Sequence, residues 1–139
     1  MRLLVDSSVW IDFLNDHPSP EANEIDRLLG EDVALCTTGL VVTEVLQGLR
    51  RSGSFAEATK LFENLVLVEP TGVDVYLRAA NLYANLRQQG KAVRSAIDCI
   101  LVATAEANEC WLLARDRDMS AILGSGLAPT VQAWPMPHG

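Results

Sequence analysis

The sequence is short of positive charge. Eleven Lys and Arg stand against 18 Asp and Glu, giving a formal net charge of −7 over 139 residues. Phosphate contacts need cations, so this balance argues against strong non-specific nucleic-acid binding. It leaves room for a nucleic-acid enzyme, because a site for divalent cations needs clustered acids. Cysteine is scarce too: Cys36, Cys99 and Cys110 all lie in apolar runs and form no CxxC pair. An odd count of this kind is expected of reduced, structural thiols in a cytoplasmic protein. The two histidines, His17 and His138, sit beside prolines, so a zinc site is not expected. No apolar run approaches the ~20 residues that span a bilayer. Asp6 follows Met1–Val5 at once, so no signal peptide is read there, and no membrane association is expected. Repeats, linkers and low-complexity tracts are missing. One domain over residues 1–139 is expected, with 135–139, carrying Pro135 and Pro137, as a loose tail.

What is present is a regular alternation. Arg2–Asp6, Val33–Thr37, Leu65–Glu69 and Cys110–Ala114 are apolar runs of strand length, and Thr130–Trp134 is a weaker fifth. Short, nearly continuous apolar runs predict strands covered on both faces. Helix patterns separate them. Ser19 before Pro20 reads as an N-cap with proline in the first turn, Ile25, Leu28 and Leu29 as the apolar face, and Gly30 as the stop. Ser54 and Glu57 match a capping box, with Phe55, Ala58, Leu61 and Phe62 turned inward. Thr71 is expected to cap a longer helix bearing Tyr76, Ala79, Ala80, Tyr83 and Leu86, ended by Gly90. The pattern predicts an α/β fold: a mostly parallel central sheet of about five strands flanked by helices. Sites in such folds gather beyond the carboxyl ends of the strands.

Acids stand at those ends. Asp6 follows the first strand, and its structural alternative is a helix N-cap. Glu44 lies at the edge of the apolar stripe Val41, Val42, Val45, Leu46 and Leu49 in a helix over 40–50, and its alternative is a solvated glutamate. Gly48, one turn on, costs about 1 kcal/mol of helix propensity and is expected to leave space beside Glu44. Asp98 lies in SAIDCILVATAEA, apolar nearly all round and so expected to be buried. A buried, unpaired carboxylate is expensive. A capping box with Ser95 or a pair with Arg94 would relieve it, and so would a bound metal. Asp116 and Asp118 flank Arg117 after the fourth strand. Asp118 is the expected cap of a short helix through Met119–Leu123, and Asp116 has no simple structural role. Several carboxylates brought close repel one another without a cation. Oxygen-only ligands favour Mg²⁺ or Mn²⁺, and phosphodiester hydrolysis is the chemistry that fits.

Three segments together, VDSSVW (5–10), TEVLQG (43–48) and RSAIDCILVATAEANECWLLARDRDM (94–119), resemble a PIN domain. Within that family, size and motif spacing are most similar to VapC-type toxins of bacterial toxin–antitoxin pairs. The resemblance covers nearly the whole chain and implies a single PIN-like domain. The implied activity is a metal-dependent endoribonuclease cutting RNA at a four-carboxylate site. It assigns Asp6, Glu44, Asp98 and Asp116 as the catalytic acids, with Asp6, Asp98 and Asp116 on Mg²⁺ or Mn²⁺. Ser7, with Ser8 after it, matches the hydroxyl that follows the first acid. Asp118 and Arg94 match supporting positions. Two departures are Ala114, where the family often has Thr or Ser, and Met119, where it often has an aromatic residue. The implied partners are RNA, a cognate antitoxin protein and a second copy in a homodimer. Arg115 and Arg117 are candidate RNA contacts, and Arg50, Arg51, Arg87, Lys91 and Arg94 are further candidates to line the approach.

Rival readings fit less well. A haloacid-dehalogenase phosphatase needs a second Asp two residues after the first, where Ser8 stands. A response-regulator receiver needs a late Lys, whereas the last here is Lys91, and a mid-chain strand ending in Asp is missing. A housekeeping RNA-processing nuclease, or a catalytically inactive PIN-like binding module, remains as the alternative to a toxin. The presence of all four principal acids weighs against an inactive module.

Overall fold

The computed structural model describes residues 1–49, 53–91 and 93–137. The chain runs β1 (Arg2–Val5), α1 (Ser7–Leu14), α2 (Pro20–Leu28), β2 (Ala34–Thr37), α3 (Gly39–Gly48), α4 (Ser54–Glu63), β3 (Val66–Leu67), α5 (Asp74–Gln88), α6 (Ala96–Ala107), β4 (Trp111–Leu113) and α7 (Arg117–Gly124). The strands form one sheet in the order β3-β2-β1-β4, with every neighbouring pair parallel. The fold is α/β, as the alternating pattern predicts. β1 lies inside the sheet, and its Leu3, Leu4 and Val5 are fully buried. Among the described residues, no helix is long and apolar enough to cross a membrane.

The expected fifth strand, 130–134, is reduced to a single bridge between Leu112 and Ala133. The Leu112 N–H donates to Gln132 O at 3.0 Å and the Trp134 N–H to Leu112 O at 2.9 Å. Beyond them, Pro135 and Pro137 lack an N–H and restrict φ, so regular pairing stops. The third strand is also shorter than its apolar run. It lies at the sheet edge, where Val66 and Leu67 are exposed. Near the chain end, the Trp134 indole N–H donates to Glu24 at 2.7 Å, Trp134 packs edge-on against Trp111, and Met136 packs against the core. His138 and Gly139, the last residues of the expected tail, lie outside the described residues.

Helix starts follow the sequence where a cap is local. Ser19 accepts from the Ala22 N–H at 3.0 Å, and Thr38 accepts from the Val41 N–H at 3.1 Å. Two expectations are corrected. The Ser54–Glu57 box is not the cap of α4: Gly53 holds that position with φ of 85°, a left-handed backbone that glycine adopts without strain. Ser54 is thus the first helical residue. Its hydroxyl is buried without a partner, and Phe55 turns outward instead of inward. α5 begins at Asp74 after Val73, not at Thr71. Its buried stripe is Val75, Ala79, Leu82 and Leu86, while Tyr76 and Ala80 face solvent. Aliphatic Val75 and Leu82 join the core, α5 lies along α6, and Arg78 ties the two helices by a two-pronged pair with Glu106 at 2.8 and 3.0 Å.

Gly48 has a different neighbour from the one expected. A Cβ built there would sit 2.6 Å from Ile11 Cδ1 and 3.0 Å from Cγ1. The small residue therefore allows α3 to close on α1, rather than keeping space open beside Glu44. Asn15, the C-cap of α1, seals the contact, donating to Gly48 O at 3.1 Å. Overpacking this crossing costs ~1–3 kcal/mol, so Gly48→Val should lower the urea midpoint. With Ile11→Ala in the same chain, the loss should be smaller than the sum of the two single losses. Strict additivity would show that Ile11 is not what Gly48 accommodates.

Candidate active site at the sheet's carboxyl end

The chain runs outward from β1 through β2 to β3, then crosses back to place β4 on the other side of β1. This reversal opens a crevice at the carboxyl ends of β1 and β4, the usual ligand position in parallel sheets. The register sets Val5 beside Leu113, and the Asp6 N–H donates to Leu113 O at 2.9 Å. Asp6 and the segment carrying Asp116 are therefore brought to one place by strand pairing. α3, which follows neighbouring β2, brings Glu44 to the same end, and α6 brings Asp98 from the β3–β4 crossover.

Asp6 stands at the N-cap position of α1, but its carboxylate makes no cap bond to the helix. It accepts instead from the Ser8 hydroxyl at 2.7 Å. Asp6 is 5% exposed. Burial pushes its pKa above the usual carboxylate range, against the pull of the Ser8 hydroxyl and the nearby Ser7 and Ser8 amides. Glu44 is half-buried and lies across from Ser7, whose Oγ is 3.5 Å from Oε1. Burial raises its pKa first and the charge of Asp6 second, with Ser7 lowering it.

Asp98 lies in the first turn of α6, one helical turn after Ser95. The hydroxyl of Ser95 accepts from the Ile97 N–H at 3.1 Å. Arg94 does not pair with Asp98. Its main-chain N–H and Nε both donate to Asp118 Oδ2 at 3.1 Å, and Nη2 donates to Asp116 Oδ1 at 3.3 Å. Asp98 is thus held among acids. Burial, then the charges of Asp6, Asp116, Asp118 and Glu44, push its pKa up to about 7.

The roles expected of Asp116 and Asp118 are exchanged. Asp116 is the N-cap of α7 and accepts from the Asp118 N–H at 3.0 Å. Asp118 is buried in the first turn, with its pKa lowered by the Arg94 main-chain and side-chain donors. One carboxylate oxygen from each of Asp98, Asp116 and Asp118 lies within 4.8 Å of the other two. This is the tightest acidic grouping among the described residues. It includes Asp118, which the sequence places only in a supporting role, and has Asp6 as a buried neighbour. The donor set is all carboxylate oxygen, suited to a hard divalent cation. The mutual repulsion felt by Asp98 is the strain that such a cation relieves.

The basic residues are less gathered than the acids. Arg115 is ion-paired with the buried carboxylate of Asp12 on α1. Its charge is thereby partly committed, a contact that nothing in the sequence signalled across 103 positions. Arg117 is exposed in the first turn of α7. Arg87 stacks over the Tyr83 ring at 5.9 Å. Arg50 and Arg51 lie outside the described residues.

Because the pKa of Asp98 rises from 3.8 to about 7 on folding, the folded chain retains this proton where the unfolded chain has released it. Stability without metal should therefore fall as pH rises between those two values and level off above them. Asp98→Asn removes this contribution. Thermal melts in chelator should show the variant with the higher Tm at pH ~8, and the gain should shrink toward pH ~4. A gain independent of pH would mean that Asp98 is not the group held protonated.

A family model for the PIN domain matches residues 3–123. The chain is 28% identical over 123 residues to a VapC ribonuclease of Mycobacterium bovis, covering 86% of this chain and 90% of that relative. The same values hold for ribonuclease VapC11 of Mycobacterium tuberculosis. Among solved structures, a chain of VapBC2 from Rickettsia felis, bound to a promoter DNA fragment, superposes with a TM-score of 0.69 at 15% identity. That match covers 96% of this chain and 98% of that one. A chain of VapBC-1 from nontypeable Haemophilus influenzae gives 0.69 at 16% identity, covering 96% and 97%. At such identities the structural likeness speaks for the fold. With the family model matching residues 3–123 of 139, well over half of it, this chain belongs to the PIN domain family.

Proposed function

We propose that this chain is a metal-dependent endoribonuclease and the toxin of a toxin–antitoxin pair. The observation that carries the reading is the convergence of Asp98, Asp116 and Asp118 within 4.8 Å beside buried Asp6, at the crevice between β1 and β4. The relatives named VapC ribonuclease support the same activity. Asp98 and Asp116 would hold Mg²⁺ or Mn²⁺, with Asp118 or Asp6 completing the oxygen set. A bound ion of this kind activates water and stabilises charge developing on a phosphate. The chain's own part is to fix the acids before the substrate arrives. The N–H of Asp118 orients Asp116, the main chain of Arg94 orients Asp118, and the Ser8 hydroxyl orients Asp6. Glu44 keeps contact with solvent across from Ser7, which suits it to accept a proton from the attacking water.

The expected partners are RNA, an antitoxin protein and a second copy of the chain in a homodimer, and the expected compartment is the cytoplasm. Arg117 is the freer of the two candidate RNA contacts, since Arg115 is paired with Asp12. RNA cleavage by the purified chain, freed of any bound protein, tests the activity. Mn²⁺ or Mg²⁺ should support cutting and chelator should stop it, while Asp6→Asn and Asp98→Asn should remove it. Saturating metal should also stabilise the fold, by ~2.7 kcal/mol at a hundredfold excess over Kd. Metal binding without turnover on varied RNAs would favour a binding module, and wild-type cutting by Asp98→Asn would overturn the site.

A further inference from the structure

Arg94 makes more contacts with the acid cluster than holding it in place requires. Asp118 Oδ2 is already bound by the Arg94 main-chain N–H at 3.1 Å, and Asp116 Oδ1 by the Asp118 N–H at 3.0 Å. Both carboxylates are therefore positioned by backbone donors, the N–H of residue 94 for Asp118 and the N–H of residue 118 for Asp116, and neither needs the Arg94 side chain. The guanidinium adds a second donor to each of these same oxygens, Nε at 3.1 Å and Nη2 at 3.3 Å. Its side chain is nevertheless 78% exposed. An exposed arm that repeats contacts already made contributes charge rather than position.

We infer that the Arg94 guanidinium is a built-in counter-cation that competes with the divalent ion for Asp116 and Asp118. The inference rests on the metal-site reading above. It concerns how that site is guarded when no ion is bound. Asp6, Glu44, Asp98, Asp116 and Asp118 interact electrostatically at one place. Among the described residues, Arg94 is the cation whose side chain pairs with two of them. A divalent ion in this cluster would draw on the same two carboxylates that the guanidinium pairs with, and its charge repels the guanidinium at close range. Metal loading and release of the Arg94 side chain are thus linked. Once released, the planar fork is free at the mouth of the site with the geometry to bind a phosphate in two-pronged fashion.

The test is Mn²⁺ affinity, measured by titration of the unbound ion's EPR signal with no RNA present. Arg94→Gln keeps the main-chain donor and removes the charge. Its Mn²⁺ Kd should fall about fivefold, a modest change in keeping with the exposed ion pairs it removes. Arg94→Lys should stay nearer the wild type. Lys60→Gln removes the same unit charge from α4 and should shift Kd by less than about twofold. An unchanged or weakened affinity in Arg94→Gln overturns the inference, as does an equal gain in Lys60→Gln. Asp98→Asn separates the two levels. If it leaves Mn²⁺ affinity unaltered, the metal site itself is wrong and the inference falls with it. If it abolishes binding while Arg94→Gln does not tighten it, the site stands and only the competition is refuted.

Discussion

Repulsion among carboxylates is the constraint around which this molecule is organised. Burial first, and then the charges of Asp6, Asp116, Asp118 and Glu44, push the pKa of Asp98 to about 7. A cluster of this kind opposes folding, and the fold restrains it with rigid parts. Asp6 is fixed by the β1–β4 register, Asp116 by its cap of α7, and Asp118 by the main chain of residue 94. No single bond accounts for the site. It exists because separate pieces of backbone, each stabilised by apolar packing elsewhere, end at the same crevice.

The reversal of strand order creates that crevice, and the helices shape it. α3 approaches α1 closely because Gly48 has no side chain to meet Ile11, and the same approach sets Glu44 across from Ser7. α6 is anchored on α5 by packing and by the Arg78–Glu106 pair, so the first turn that carries Asp98 has a stable base. The ion pair of Arg115 with Asp12 ties the loop after β4 back to α1. Packing and polar contacts far from the acids therefore act on their geometry. Asp116 and Asp118 offset part of this through the α7 cap and the Arg94 pairs, whereas Asp98 opposes folding until a cation relieves it.

Much of this was legible before any coordinates. The alternation of short apolar runs with amphipathic helices predicts the parallel sheet, because a strand buried on both faces has to be apolar almost throughout. Ser19 announces its helix, since a cap is a bond between residues three apart. Asp98 stood out because an acid inside SAIDCILVATAEA has no cheap structural explanation. The structure departs from these expectations at choices between adjacent positions. Gly53 takes the cap that Ser54 was expected to fill, and Val75 is buried where Tyr76 was expected to be, while Tyr83 packs against the core as expected. Local pattern leaves such choices nearly balanced, and tertiary packing settles them.

The sequence by itself determined the inventory and its order: which acids, on which kind of element, at the end of which strand. Those properties are local, carried by hydrophobic period, caps and the cost of burying charge. Tertiary structure alone decided the partners. Arg94 is four residues from Asp98, a helical spacing, yet it pairs with Asp116 and Asp118, 22 and 24 residues away. The reason is that Arg94 precedes Ser95, the cap of α6, so helical spacing does not apply to it, and the chain entering α6 passes beside the start of α7. Which carboxylate meets which cation depends on how two helix starts lie across a sheet edge, and no run of neighbouring residues encodes that distance.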